Sequence, residues 1–245
     1  MEKTRSIHIE DLAASYAGKT VLEHIDLDLP SGAIIGIIGP NGCGKSTLLK
    51  AVLGLIPEVK GQVHFFGKPF SQQRQRIAYV PQRESVDWDF PISVREVVEM
   101  GIFQPHKWWR KKTADEALRV QQALEKVGMQ DFAKSSIGAL SGGQQQRVFV
   151  ARALVQAADI LILDEPFVGI DVVSQEQIWQ NIRALRDAGK TILIVHHDLQ
   201  TARSHFDELV LIHQGRIAAY GKPEVVLTKE HLQQVYSGFI LLNEV

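Results

Sequence analysis

An α/β fold is predicted, with a mostly parallel sheet core, an N-terminal antiparallel β-subdomain and an inserted helical subdomain, and three observations predict it. Short apolar runs at Ala33-Ile34-Ile35-Gly36-Ile37-Ile38, Ile160-Leu161-Ile162-Leu163 and Thr191-Ile192-Leu193-Ile194-Val195 have the unbroken hydrophobicity of strands buried on both faces. Ahead of and just after the first run, apolar or alternating stretches separated by turn formers read as antiparallel strands. Between the first run and the second, the apolar residues change to steps of three and four, which is the period of a helix.

Each element has its own local reason. Ile7 to Leu12 and Val21 to Leu29 are strand-like and separated by Gly18, and Pro30-Ser31-Gly32 turns the chain into the first buried run. Gln62 to Phe66 and Ile77 to Val80 continue the strand character. From about Val94 the pattern is helical. Thr113 and Glu116 form a capping box for a helix whose Ala117, Val120, Leu124 and Val127 share a face and which Gly128 closes. Gln145 to Leu154 is helical, and Ser174 to Ala188 is a capped helix ending at Gly189. Leu209 to His213, the turn Gln214-Gly215 and Arg216 to Tyr220 predict a hairpin, followed by a short helical tail. These patterns predict one domain over 1–245: a core with its β-subdomain at about 1–82 and 146–220, a helical subdomain at about 83–145 and a tail at 221–245.

Composition excludes several classes. With 27 basic and 28 acidic residues the net charge is -1, which offers no global attraction to nucleic acid or anionic lipid. No apolar run approaches the roughly 20 residues that cross a bilayer, and Met1-Glu2-Lys3-Thr4-Arg5-Ser6 lacks the apolar stretch of a secretory signal, so a cytoplasmic location is expected. The single cysteine, Cys43, rules out an internal disulfide and a cysteine-based zinc cluster.

The most specific chemistry follows the first buried run. Gly39-Pro40-Asn41-Gly42-Cys43-Gly44-Lys45-Ser46-Thr47 is a glycine-rich phosphate loop between a strand and a helix, so the chain is expected to bind a nucleoside triphosphate. The glycines let backbone N–H groups curl around phosphate oxygens, Lys45 places a charge on the β and γ phosphates, and the Ser46 hydroxyl is a Mg2+ ligand. Thr47-Leu48-Leu49-Lys50 then begins a helix, with Gly54 as its stop.

Leu140-Ser141-Gly142-Gly143-Gln144 opens a second helix, and Ile160-Leu161-Ile162-Leu163 runs straight into Asp164-Glu165. In this order the motifs resemble the ATP-binding subunit of ABC transporters, a P-loop NTPase fold, over nearly the whole chain. The resemblance implies ATP as substrate and Mg2+ as cofactor, with Asp164 joining Ser46 and Gln82 at the metal. It implies Glu165 as the general base and His197 as the switch histidine that positions the attacking water. Tyr16 stands where the family puts an aromatic under the adenine, and Asp171 where its D-loop crosses between copies. Leu140, Ser141, Gly142, Gly143 and Gln144 match the signature that binds the ATP of a partner subunit, so a homodimer with two ATP sites is implied. His196 and His197 are adjacent on an extended segment, where their side chains point to opposite faces, which argues against shared metal ligation. Asp198 is expected to orient this loop or to cap the next helix.

After Gln82, the segment Arg83-Glu84-Ser85-Val86-Asp87-Trp88-Asp89-Phe90-Pro91 is similar to the ATPases of manganese, zinc and iron importers, as are Glu165 to Asp171 and the Trp108-Trp109 region. The implied partners are transmembrane permease subunits and, indirectly, an extracytoplasmic metal-binding protein, with no nucleic acid, and the implied place is the cytoplasmic face of the inner membrane. Trp88 and Phe90 either line the groove for a permease helix or pack the insertion. Trp108-Trp109-Arg110-Lys111-Lys112 reads either as a solvated loop or as a membrane-surface segment. Iron-siderophore or cobalamin importers are the neighbouring alternative, and a soluble ABC-type nucleotide clamp is the alternative from another class. The clamps carry two cassettes or a long coiled coil, and this chain has neither.

Overall fold

The computed structural model describes residues 5–102 and 113–236. In chain order the elements are β1 (Arg5–Tyr16), β2 (Lys19–Pro30), β3 (Ile34–Ile38), α1 (Lys45–Val52), β4 (Glu58–Phe65), β5 (Lys68–Pro69), α2 (Phe70–Gln73), β6 (Ile77–Val80), α3 (Val94–Glu99) and α4 (Ala114–Lys126). They continue with α5 (Gly142–Gln156), β7 (Ile160–Asp164), α6 (Val172–Asp187), β8 (Thr191–Val195), α7 (Leu199–His205), β9 (Glu208–His213), β10 (Arg216–Gly221), α8 (Pro223–Val226) and α9 (Lys229–Val235). The chain divides into two compact units, residues up to 74 with those from 186 onward, and residues 75–185.

The first unit holds an antiparallel sheet in the order β2-β1-β4-β5. Alternation along β1 buries Ile7 and Ile9 and leaves His8 half-buried between them, so one face is core and the other faces water. A second ladder, β10-β9-β3-β8, pairs β3 in parallel with both β8 and β9 and closes with the predicted hairpin β9/β10. Every residue of β3 and of β8 is buried, as continuous apolar runs require of strands inside a parallel sheet. The approach is so close that a Cβ on Gly36 would stand 2.7 Å from Leu209 and 2.9 Å from Phe206 side-chain atoms.

The second unit pairs β6 in parallel with β7, Ile77 opposite Ile160 through Val80 opposite Leu163, and surrounds them with helices. The Thr113 and Glu116 capping box starts α4, and Gly128 ends it at φ 66°. Of the residues expected on its inner face, Val120, Leu124 and Val127 are buried but Ala117 is exposed, and Ala123 fills the core instead. The sequence pattern had the right period and misjudged the first turn, where Ala117 is exposed. Helix α6 begins at Val172, not Ser174, because Asp171 caps it: the Asp171 carboxylate accepts the Ser174 N–H at 2.9 Å. Trp108 to Lys112 lie outside the described residues.

Candidate functional site

In the first unit the phosphate loop leaves β3 and enters α1. A Cβ on Gly39 would lie 2.3 Å from the Ile212 carbonyl oxygen and 2.8 Å from Cys43 Sγ, so only glycine can begin the loop. Gly44, in a left-handed conformation at φ 111°, stands at the N-cap of α1 and supplies no side-chain cap. The first N–H groups of α1 thus lack the usual side-chain acceptor at that position. Lys45 is buried and donates from Nζ to the carbonyl oxygens of Gly39 and Pro40, both at 2.9 Å. Those two bonds fix the ammonium over the loop, with one further donor position remaining. Ser46 and Thr47 are half-buried on the first turn, while Asn41 and Gly42 are exposed at the loop's crest.

Cys43 has its thiol buried against Gly39, and burial raises its pKa while neighbouring Lys45 pulls it back in part. Tyr16, at the end of β1, is 43% exposed, so its ring is open to a stacking partner. Tyr236, at the end of α9, was not singled out by sequence and comes to this loop. Its hydroxyl faces Cys43 and the Gly39 amide, and burial pushes its pKa up to about 12.

The histidine pair ends β8. The His196 N–H donates to the Ile37 carbonyl at 2.9 Å and its ring is buried against Phe206, centroids 5.3 Å apart. Burial, aided by His197, lowers the His196 pKa to about 4, so this ring is neutral at ordinary pH. His196 Nε2 lies 2.9 Å from Thr201 Oγ1, which is 3.0 Å from Asp198 Oδ2. Asp198 in turn caps α7 by accepting the Gln200 N–H at 2.8 Å. Burial raises the Asp198 pKa, but the Gln200 and Thr201 hydrogen bonds outweigh it and hold it below the usual range. Through these bonds His196 braces the loop that leaves the adjacent His197 exposed. The two rings occupy opposite environments, as expected for neighbours on an extended chain.

The second unit carries the acidic residues. Asp164 is fully buried at the carboxyl end of β7. Glu165 follows at φ 51°, a left-handed conformation that costs a side-chain-bearing residue about 1–3 kcal/mol and is kept only where the surroundings enforce it. Gln82, just after β6, reaches Glu165 from Nε2 to Oε2 at 3.4 Å. The parallel pairing of β6 with β7 delivers these residues from the same edge.

The signature opens α5. Ser141 is its N-cap in a full capping box: Ser141 Oγ accepts the Gln144 N–H, and Gln144 Oε1 accepts the Ser141 N–H at 2.9 Å. Gln144 is therefore engaged within its own helix, and the amides of Gly142 and Gly143 are the ones left at the tip. A Cβ on Gly143 would stand 2.4 Å from the Gly169 carbonyl oxygen, which locks the turn before Asp171 against the signature. Leu140 is buried beneath it. The hydrogen bonds from the Ser174 N–H and hydroxyl lower the Asp171 pKa, with Arg147 adding to the effect.

Trp88 packs edge-on against Phe149, centroids 5.1 Å apart, and donates its indole N–H to the Arg83 carbonyl at 2.9 Å. Phe90 is 58% exposed. Both line a groove of about 210 Å3 with Met100, Ile137 and Phe149, so Trp88 packs the insertion and also forms part of an open groove. Among the described residues no helix is long and apolar enough to cross a membrane.

A family model described as ABC transporter matches residues 22–168. The zinc transport system ATP-binding protein TroB of Treponema pallidum (strain Nichols) is 48% identical over 96% of this chain and 88% of its own length. The manganese transport system ATP-binding protein MntB of Bacillus subtilis (strain 168) is 49% identical over 95% of this chain and 92% of its own. A metal-chelate type ABC transporter in an inward-facing conformation superposes with a TM-score of 0.79 at 25% identity, covering 95% of this chain and 89% of the other. A dimeric ATP-binding cassette in a post-hydrolysis state, bound to ADP and Pi, gives a TM-score of 0.78 at 26% identity, covering 89% and 98%.

Proposed function

Since the chain belongs to the ABC transporter family, we propose that it is the ATP-hydrolysing subunit of an importer for a divalent metal ion, manganese, zinc or iron. The observation that carries the choice of cargo is the likeness, over nearly the full length, to ATP-binding proteins of zinc and manganese transport systems. The resemblance of the Asp87-Trp88-Asp89-Phe90-Pro91 segment to metal-importer ATPases is part of that likeness.

The residue roles follow from chemistry. The amides of the loop from Gly39 to Thr47, with Pro40, Asn41, Gly42 and Cys43 shaping its crest, hold the phosphates, and Lys45 neutralises them. Tyr16 stacks on the base. Ser46, Asp164 and Gln82 offer the hard oxygen donors that Mg2+ prefers, and a fully buried carboxylate such as Asp164 suits a cation partner. Bound there, Mg2+ would neutralise phosphate charge and orient the γ phosphate. Glu165 takes the proton of the attacking water, and its contact with Gln82 supports a coupling between that base and the chain leading to the Trp88 groove. His197, held out by the His196 brace, orients the water.

In the working unit two copies pair. Ser141, Gly142 and Gly143 of one copy complete the site on the nucleotide held by the other, with Asp171 holding the turn beside them. In this reading the groove at Trp88 and Phe90 receives a helix of the permease, and the subunit works on the cytoplasmic face of the inner membrane; the exposed apolar lining of the groove supports it. Metal choice then lies with the permease and the extracytoplasmic binding protein.

Cellular manganese, zinc and iron measured on low-metal medium, in cells carrying the natural chain or Glu165→Gln, test this reading. The variant is expected to keep ATP binding, to hydrolyse it roughly 100-fold or more slowly, and to lose one metal selectively. Unchanged content of all three metals with hydrolysis abolished would reject metal import and leave the ATPase.

A further inference from the structure

One row of side chains crosses the half-exposed face of the antiparallel sheet: Asp28 on β2, His8 on β1 and His64 on β4 stand opposite one another in register. His8 Nδ1 is 2.7 Å from Asp28 Oδ1, and Arg5 Nη1 is 3.2 Å from the other oxygen of that carboxylate. An ionised carboxylate can only accept, so His8 carries a proton on Nδ1 and Nε2 is the ring nitrogen turned away from Asp28. The His8 and His64 rings face each other, centroids 6.4 Å apart and planes 26° from parallel. With Arg5, Phe66 and Gly67 they line a cavity of about 340 Å3.

We propose that His8 and His64 chelate a divalent transition-metal ion that favours imidazole, Zn2+ foremost, at a site separate from the nucleotide residues. Directly opposed residues on antiparallel strands have Cβ atoms about 4.5–5.5 Å apart, close enough for two imidazoles to share one ion. Metal–nitrogen bonds of about 2.0–2.1 Å put the ring centres on a shared ion roughly 5–6 Å apart, close to the separation seen, and binding requires the His64 ring to turn about its side-chain torsions until the ion lies in both ring planes. The Asp28 carboxylate behind His8 is the partner that fixes a metal-bound imidazole's orientation and raises its basicity. Among the described residues no cluster of three or more metal-ligating side chains occurs, so the protein supplies two ligands and water the rest. The charges nearby include Arg5, already paired with Asp28, Glu208, joined to the Asp28 backbone through the Tyr220 hydroxyl, and Glu10, two residues along on the same face of β1. An anion drawn by Arg5 would meet Asp28 at the end of the row, which favours the cation. The inference stands whether or not the proposed cargo is correct.

Titration of the full chain with zinc sulfate and with manganese chloride, followed by calorimetry, tests it. The natural chain is expected to bind Zn2+ with a site that His64→Gln abolishes and Asp28→Asn weakens about 10–100-fold. His24→Gln should leave it intact, because the exposed His24–Asp11 pair has no second histidine opposite. Mn2+, lowest in the affinity order for nitrogen ligands, should bind far more weakly. ATP affinity of His64→Gln, expected unchanged, shows that the variant is folded. In the natural chain, Zn2+ should shift the His8 and His64 imidazole resonances together, a readout that needs no variant. Equal Zn2+ binding by the natural chain and a folded His64→Gln variant would overturn the proposal. So would resonances of His8 and His64 that ignore Zn2+, or inorganic phosphate binding there in its place.

Discussion

Two helices of this molecule begin at glycine-rich turns, and they satisfy their first amides in different ways. At α1 the N-cap is Gly44, which brings no side chain, and Lys45 folds back onto the loop carbonyls. At α5 the N-cap is Ser141, whose hydroxyl takes one amide while Gln144 returns the bond. The first terminus has no side-chain cap at its N-cap residue, whereas the second caps itself and keeps the Gly142 and Gly143 amides at its tip. A terminus that depends on ligand should respond strongly to nucleotide. One that caps itself can hold its shape until a second copy brings the nucleotide to it.

The largest expected effect that would break this comparison is at Lys45. Lys45→Ala should weaken ATP binding about 100-fold, about 2.7 kcal/mol, because a charged donor to phosphate is lost. Fluorescent-nucleotide titration reads it, and unchanged affinity would contradict the assignment of the open terminus.

A smaller effect concerns the brace beside that loop. Folded His196 stays neutral down to about pH 4, while an unfolded imidazole protonates near pH 6.5. The unfolded state therefore binds more protons in that window, and stability falls as pH drops from about 6.5 to about 4, by on the order of 2 kcal/mol once water at the ring's edge is allowed for. Denaturant midpoints of the natural chain and His196→Gln, compared across that window, should show the slope in the first and a flatter line in the second.

Ser141→Ala should cost about 1 kcal/mol of stability through the lost cap and leave single-chain ATP affinity unchanged. A loss of affinity in that variant would mean the self-capped terminus also serves its own chain's nucleotide. The smallest effect is kinetic: Cys43, buried and with a raised pKa, should react with iodoacetamide more slowly than a free thiol, and mass spectrometry of labelled protein checks it. Once labelled, the crowded loop should no longer hydrolyse ATP, since Sγ already touches the space over Gly39.

Short-range features were legible in the sequence. The capping box at Thr113 and Glu116, the glycine stops at Gly54 and Gly128, the hairpin at Gln214-Gly215 and the cap at Asp198 each depend on residues within a few positions, so local chemistry specifies them. Boundaries slipped where the competing cap was equally local: Asp171 and Ser174 both qualify, and only the backbone path shows that Asp171 accepts and Ser174 donates. The exposed Ala117 and the buried Ala123 differ in what covers them, which periodicity does not contain.

The sequence by itself determined the family, the phosphate loop and the order of strands and helices, because each is written in contiguous residues whose backbone needs are local. Tertiary structure alone decided which distant groups meet: Gln82 with Glu165, Tyr236 with Gly39, and His8 with Asp28 and His64. The first and last of those meetings depend on strand register, which is set by the packing of a whole buried face, since a slip of one residue would turn every side chain of the strand to the other side, and the second depends on how the last helix packs.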